Sequence, residues 1–200
     1  TTGSTTAIAT NGNATITNSY GQLTMYSTGQ YDFVANGTAS EQLATGEQAI
    51  SQFTYTVSDG VVSRTEVLSL TITGTNDTPT ITTVTGTDVT GAVIEDVAVV
   101  AATLTDTGTI TFNDLDLTNT HTASVTRASG SLLGGTLTLG DVSEDATTTA
   151  GSVPWTYTIP TSATQYLALN QTASEVFTVT ISDINGGTVT QNVTVTATGT

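Results

Sequence analysis

Cysteine and lysine are both missing from this 200-residue chain, and histidine and methionine occur once each. Without cysteine there is no disulfide framework, no thiolate nucleophile and no zinc–cysteine site. Arg64 and Arg127 stand against seventeen acids, and the formal net charge is −15. A nucleic-acid binder displaces counterions with its own cations, so DNA and RNA are excluded as partners, and docking on an anionic membrane fails for the same reason. Prolines number three, there is no run of helix formers, and no apolar stretch approaches the ~18 residues of a membrane span. The opening "TTGSTTAIAT" has neither the basic start nor the apolar core of a secretory leader. The expectation is a piece of a longer chain. So many acids repel one another unless a cation joins them. A solvated acidic surface accounts for them as a source of solubility. The sharper expectation is a divalent metal, calcium above all, because it takes oxygen ligands.

What the chain has in abundance is threonine, about a quarter of all residues, a β-branched type that favours strands. It alternates with apolar residues at period two. In "FTVTIS" Phe177, Val179 and Ile181 point one way and Thr178 and Thr180 the other, and "VTVTAT", "LSLTIT", "GTLTLG" and "WTYTI" repeat the device. That period is the mark of a half-buried strand. Turn signals such as "NGN", "TGQ", "SDG" and "NGG" separate the strands at roughly 8–12 residues, which reads as an all-β sandwich with Greek-key links.

The chain also repeats itself. Leu43, Phe53, Val57 and Asp59 fall on Leu167, Phe177, Ile181 and Asp183 at one constant offset, and "GQLTM" from Gly21 matches "GTLTL" from Gly135. A period of roughly 120 residues suits tandem domains rather than a solenoid. The boundary falls in "TITGTNDTPTIT", where Gly74 ends a strand and Pro79 interrupts the ladder. The expected domains are 1–76 and 77–200. Nothing before Gly21 matches "IEDVAVVAATLTDTGTITFNDLDLTNTHT", so the first domain is expected to lack its opening strands. "AIATNGNATITN" is expected to supply a single strand there.

The acids gather at turns and strand ends. The candidate metal ligands are Asp59 in "VSDG", Asn76 and Asp77 in "GTNDTP", Glu95 and Asp96 in "VIEDV", and Asp114 and Asp116 in "FNDLDL". Calcium takes six to eight oxygens at ~2.3–2.6 Å, and an alternate pair such as Asp114 and Asp116 can aim two carboxylates at one ion. The competing reading is that "ND" before proline caps a turn and "SDG" closes a tight hairpin. "DLDLTNTHT" is not an EF-hand, since its sixth position is Asn119 and its twelfth Val125. "GDVSEDA", with Asp141, Glu144 and Asp145, is a second ion candidate or a solvated loop. His121 lies in an alternating stretch and is expected to face solvent or pack on a sheet. No G-x-S-x-G, H-E-x-x-H or phosphate-cradling loop is present, so no enzyme is expected. Trp155, Tyr157, Phe177 and Tyr166 read as core and corner aromatics.

"GTITFNDLDLTNTHTASV", "TQYLALNQTASEVFTVTISD" and "TITGTND" together resemble the VCBS repeats of giant bacterial surface proteins, the RTX-type adhesins among them. The likeness spans almost all of 77–200 and the latter part of the first copy. It implies immunoglobulin- or cadherin-like sandwiches repeated along a secreted fibre, acting as extender modules in biofilm formation or host attachment. It also implies calcium at the domain junctions, an arrangement that resembles the shared-ion junction of cadherins. The resulting expectation is a monomeric, calcium-rigidified extender on the bacterial surface, serving cell adhesion. Its partners would be adjacent repeats of the same chain and, through other domains, a host or biofilm-matrix ligand. The alternative is a calcium-dependent module that itself binds a glycan or protein.

Overall fold

The computed structural model describes residues 6–7, 13–82, 87–130 and 133–200. The described chain is all-β, with fifteen strands, one four-residue helix and one 3-10 turn. It divides into two compact units, Thr1–Asp77 with Leu115–Thr118, and Thr78–Asp114 with Asn119–Thr200.

The second unit holds β7 (Thr80–Ile81), β8 (Thr90–Ile94), β9 (Thr103–Asn113), β10 (His121–Arg127), β11 (Thr136–Leu139), β12 (Ser143–Glu144), β13 (Ala150–Pro160), β14 (Thr172–Asp183) and β15 (Thr188–Thr198). One sheet runs β10-β14-β15-β8 and the other β11-β13-β9-β7, with β12 paired to β13. All pairings are antiparallel except β8, which lies parallel along β15. The chain changes sheet from β7 to β8, from β8 to β9, from β9 to β10, from β10 to β11 and from β13 to β14, the Greek-key path of an immunoglobulin-type sandwich. Alternation drives the packing. Phe177, Val179 and Ile181 of β14 and Val193 and Val195 of β15 meet Leu104, Ile110 and Phe112 of β9 and Val153, Trp155, Tyr157 and Ile159 of β13, all buried. The intervening threonines stay outside. Tyr157 and Phe177 meet edge to face at 5.9 Å, and the Trp155 indole N–H donates to the Asp88 carbonyl at 2.7 Å. Tyr166 departs from expectation: it is 62% exposed, and the neighbouring Leu167 turns inward instead. A turn follows the 3-10 segment there, so strand alternation does not govern which side chain is buried.

The first unit holds β1 (Thr6–Ala7), β2 (Asn13–Asn18), β3 (Gly21–Tyr26), β4 (Tyr31–Val34), α1 (Thr38–Glu41), β5 (Gln48–Ser58) and β6 (Ser63–Thr73). Its sheets are β2-β3-β4 and β1-β5-β6, with β1 parallel to β5. Ile16, Leu23, Met25 and Phe53 form its core, with Phe33 edge to face on Phe53 at 5.7 Å. Of Ala7–Asn18, expected to give one strand, residues 8–12 lie outside those described; Ala7 ends β1 and Asn13–Asn18 is β2.

The repeat is three-dimensional. In the first unit the Gly74 N–H donates to the Glu47 carbonyl at 2.9 Å and the Gly46 N–H to the Gly74 carbonyl at 3.1 Å; in the second the Gly199 N–H donates to the Gln171 carbonyl at 2.9 Å and the Asn170 N–H to the Gly199 carbonyl at 3.0 Å. The Glu47 side chain accepts from the Ala44 N–H at 3.1 Å, and that of Gln171 from the Ala168 N–H at 2.9 Å. Gly46 and Asn170 both hold the left-handed conformation, at φ +78° and +63°. The same clasp closes both copies.

Candidate functional site

Four of the buried polar residues gather at the end of the second unit where β9 and β14 finish and β10 begins: Asp114, Asn119, His121 and Asp183. Each is placed by a strand terminus. Asp114 follows the last residue of β9. His121 opens β10 directly opposite Asp183, the last residue of β14. The inward stripe of β14 reads Glu175, Phe177, Val179, Ile181, Asp183, so the period that builds the core also carries a carboxylate in at each end.

The His121 ring sits between two acids. Its Nε2 is 2.9 Å from Asp114 Oδ2 and its Nδ1 is 2.6 Å from Glu144 Oε2. Its backbone N–H also donates to Glu144 Oε1 at 3.0 Å. The His121 and Phe112 ring centroids are 4.7 Å apart, with the rings tilted at 56°, so His121 packs inward rather than facing solvent. Asp183 Oδ1 accepts the Asn185 and Gly187 N–H groups, each at 2.8 Å, and Asn119 Oδ1 accepts from the Asn185 side-chain amide at 2.7 Å. Glu144, one of the "GDVSEDA" acids, is thus a partner of His121. Asp145 accepts from the Thr147 hydroxyl and N–H, which hold its carboxyl below the usual range.

The seven candidate ligands do not form one cluster. In the second unit Asp114 stands at the end just described, and Glu95 and Asp96 stand at the opposite end, beside the close of β15. There the Glu95 carboxylate accepts the Thr200 N–H at 3.2 Å and Asp96 Oδ1 accepts from the Gln165 amide at 3.2 Å. The first unit is divided likewise. Asp59 lies at the tip of the β5–β6 hairpin, whereas Asn76 and Asp77 follow the far end of β6. Asp77 donates its N–H to Asp116 Oδ2 at 2.8 Å, both residues belonging to that unit. Asp59 Oδ1 accepts from Val61 at 2.9 Å and Val62 at 2.7 Å, and the Val62 and Val61 N–H groups hold its carboxyl below the ordinary value. Spacing along the chain brought these acids together on paper because strand ends are close in sequence across a turn and a strand length apart across a strand.

As a donor set, Asp114, Asn119 and Asp183 offer carboxylate and amide oxygens of the kind a hard cation takes, and they fit calcium better than a softer metal. Among the described residues no group of three or more His, Asp or Glu side chains is arranged to hold a metal.

Sequence reasoning passed over Glu175. It is fully buried in the second unit and accepts the Gly134 and Gly135 N–H groups at 2.9 Å each and the Tyr157 hydroxyl at 2.9 Å. Arg127 approaches it at 3.8 Å while donating to the Gly135 carbonyl and lying 5.7 Å over the Phe177 ring. Burial first, and then the bond to Glu175, push the Tyr157 phenol well above the ordinary tyrosine value. Period-two counting from Phe177 puts Glu175 inside, which was the available signal.

No family model matches the chain, and no curated protein matches it. Among solved structures, a mutant of the CFA/I adhesin CfaE from enterotoxigenic E. coli is similar over 84% of this chain and 62% of that one, at 11% identity and a TM-score of 0.40. The chain thus spans under two thirds of that adhesin's solved length. The Enterococcus faecalis MSCRAMM ACE, which binds its ligands by the collagen hug model, is similar over 94% of this chain and 77% of that one, at 10% identity and a TM-score of 0.22. Both likenesses are too distant to bear on function. No helix among the described residues is long and apolar enough to cross a membrane.

Proposed function

We propose that the chain is an extender stretch of a secreted bacterial surface adhesin, without catalytic activity, whose output is length. One observation carries this reading: the same hairpin and the same clasp are built twice along the chain, at Glu47 and Gly74 and again at Gln171 and Gly199. Serial copies of one strand design add distance without adding chemistry. A sandwich of this size spans on the order of 40 Å at ~3.3 Å per strand residue.

In this reading calcium stiffens the fibre, with Asp114, Asn119 and Asp183 as oxygen donors in the second unit and Asp77 and Asp116 in the first. A net charge of −15 favours its uptake. The test is a calorimetric calcium titration of the chain and of its Asp114→Asn and Asp116→Ala variants, paired with melting and small-angle scattering. Binding heats lost in the variants are expected, together with a gain of about 2.7 kcal/mol in stability at a hundredfold excess over Kd. No heat and an unmoved Tm would remove calcium from the account. A scattering profile indifferent to chelator would remove the stiffening.

The alternative, a calcium-dependent binding module, has one feature in its favour. An open hollow of about 550 Å³ is lined by residues 26–32 at the β3–β4 hairpin, including Tyr26, Gln30, Tyr31 and Asp32. Aromatic faces beside amide and carboxylate groups suit a sugar. Calcium-dependent glycan binding, abolished in a Tyr31→Ala variant, would favour this reading over the first.

A further inference from the structure

Asparagine followed by glycine is a labile pair. The side-chain amide carbon lies within reach of the next peptide nitrogen, and glycine has no Cβ to keep the two apart. The chain has three such pairs, at Asn11 and Gly12, Asn36 and Gly37, and Asn185 and Gly186. The first lies outside the described residues, and in the other two the asparagine is exposed. Their backbones differ.

After Asn36 the peptide is tied down. The Gly37 N–H donates to the Tyr20 carbonyl at 3.2 Å, and the Gly37 carbonyl accepts from the Ser40 hydroxyl at 2.6 Å. A Cβ on Gly37 would stand 2.2 Å from the Ser19 carbonyl oxygen and 2.6 Å from the Tyr20 carbonyl carbon, so packed backbone leaves that peptide no room to swing. After Asn185, in the turn between β14 and β15, the peptide is open. Gly186 is exposed at φ +104°, and a Cβ on it would meet nothing within 4 Å. The N–H groups of Asn185 and Gly187 on either side both go to Asp183 Oδ1, while that of Gly186 makes no hydrogen bond in the turn. The Asn185 side chain is held through its nitrogen, which donates to Asn119 Oδ1 at 2.7 Å. That bond engages the atom that would leave and not the carbon that would be attacked.

We propose that Asn185 is a self-modifying site, where the chain converts its own amide to a carboxylate without an enzyme. The Gly186 peptide nitrogen gives its proton to water and attacks Asn185 Cγ. A C–N bond forms, the Cγ–Nδ2 bond breaks, and Nδ2 takes up a proton from water and leaves as ammonia. The cyclic imide then adds one water. Opening at Cγ leaves an aspartate in the ordinary backbone; opening at the main-chain carbonyl carbon leaves an isoaspartate, with the chain running through Cγ. Amide and water have become carboxylic acid and ammonia, and no oxidant or reductant is needed. The product sets an acceptor where Asn185 donated to Asn119 Oδ1 and adds a charge beside Asp183, so the turn loosens. The step is independent of calcium and of the spacing role.

The experiment incubates the folded chain at neutral pH below its melting range, digests samples over time and follows each asparagine by peptide mass, separating aspartate from isoaspartate. Asn185 is expected to convert about tenfold faster than Asn36 or more, since a nucleophile held out of place loses at least that much. In urea that unfolds the chain the two rates are expected to converge, because the fold alone separates them. Asn185→Asp carries the aspartate product from the start and is expected to melt about 2–4 °C below the fresh chain, as the loss of one hydrogen bond implies. Asn185 is exposed, so that variant keeps its sandwich, and unchanged amide protection at Val179 and Val193 checks this. Three results would each overturn the conversion: an intact Asn185 in the folded chain, Asn36 converting as fast as Asn185 there, or a gap between them that survives in urea. An Asn185→Asp chain melting with the fresh one would overturn the loosening.

Discussion

At the level of single residues, the buried carboxylates Glu95, Asp116, Glu175 and Asp183 all accept backbone N–H groups, some of them from far along the chain. Glu175 is the clearest case, with two glycine N–H groups and a tyrosine hydroxyl on one carboxylate. Glu175→Ala would strand those donors in the interior, and a loss of about 3 kcal/mol is expected by urea unfolding; a loss under about 0.5 kcal/mol would mean that water replaces the carboxylate. Tyr26 shows the same chemistry at the surface. Its hydroxyl donates to Asp32 Oδ2 at 2.8 Å; that bond first, and then the Asp32 charge, raise the phenol above its ordinary value. A raised folded value means that this contribution is complete below the unfolded tyrosine pKa near 10 and is lost as pH rises through the folded one. Ultraviolet titration should show Tyr26 ionising late, and Asp32→Asn should bring it back. Such residues were legible only in part. Period-two counting from Phe177 reaches both Glu175 and Asp183, but it cannot say that Asn185, Gly187, Gly134 and Gly135 will turn their N–H groups toward them. His121 shares the inward face of β10 with Ala123 and Val125, so period two reaches it as well; what alternation cannot supply is its partners, since Asp114 and Glu144 come from other elements.

Strands and turns are where the sequence speaks most plainly. Each alternating threonine segment is a strand, β6 ends at Thr73 before Gly74, and β7 begins just after Pro79. The parallel partnership of β8 with β15 was not legible, since "TGAVI" carries no mark of direction and gains its place from the edge it covers. The clasp offers a test of how literally the design is copied. A Cβ on Gly74 would stand 2.1 Å from the Leu43 carbonyl oxygen and 2.4 Å from that of Ala44, and one on Gly199 would stand 2.5 Å from Ala168 O and 2.6 Å from Leu167 O. Backbone cannot yield as a flexible side chain does, so Gly74→Ala and Gly199→Ala should each cost about 1–3 kcal/mol. The effects should be similar in size, read as separate shifts in denaturant midpoint. A neutral Gly74→Ala alongside a costly Gly199→Ala would mean that the first clasp is not closed in solution. The two copies also solve one problem differently. In the first unit Asn18 Oδ1 accepts from the Tyr20 and Gly21 N–H groups while its amide donates to buried Ser51; in the second, Glu175 stands at the position of Ser51 and reaches the corresponding Gly134 and Gly135 itself.

Across the whole molecule the two units differ most in how much apolar surface each removes from water. Among the described residues the second unit's core cluster contains seventeen buried side chains and the first unit's contains four. Hydrophobic stabilisation grows with buried apolar area, at about 25 cal/mol per Å², and regions with few buried contacts open first. Amides of β5 and β6 should therefore exchange with solvent faster than the equivalent amides of β14 and β15, even though the hairpins share sequence pattern and ladder length. The comparison is internal to one sample, so temperature, pH and intrinsic chemistry largely cancel. The largest gap is expected toward the Asp59 tip, where Tyr55 and Val57 lose the cover that Val179 and Ile181 keep, and the smallest at the clasp, where both copies are tied alike. Equal protection along both hairpins at low protein concentration would contradict the difference in burial. Protection of β6 that rises with concentration would instead mean that copies of the chain cover one another there.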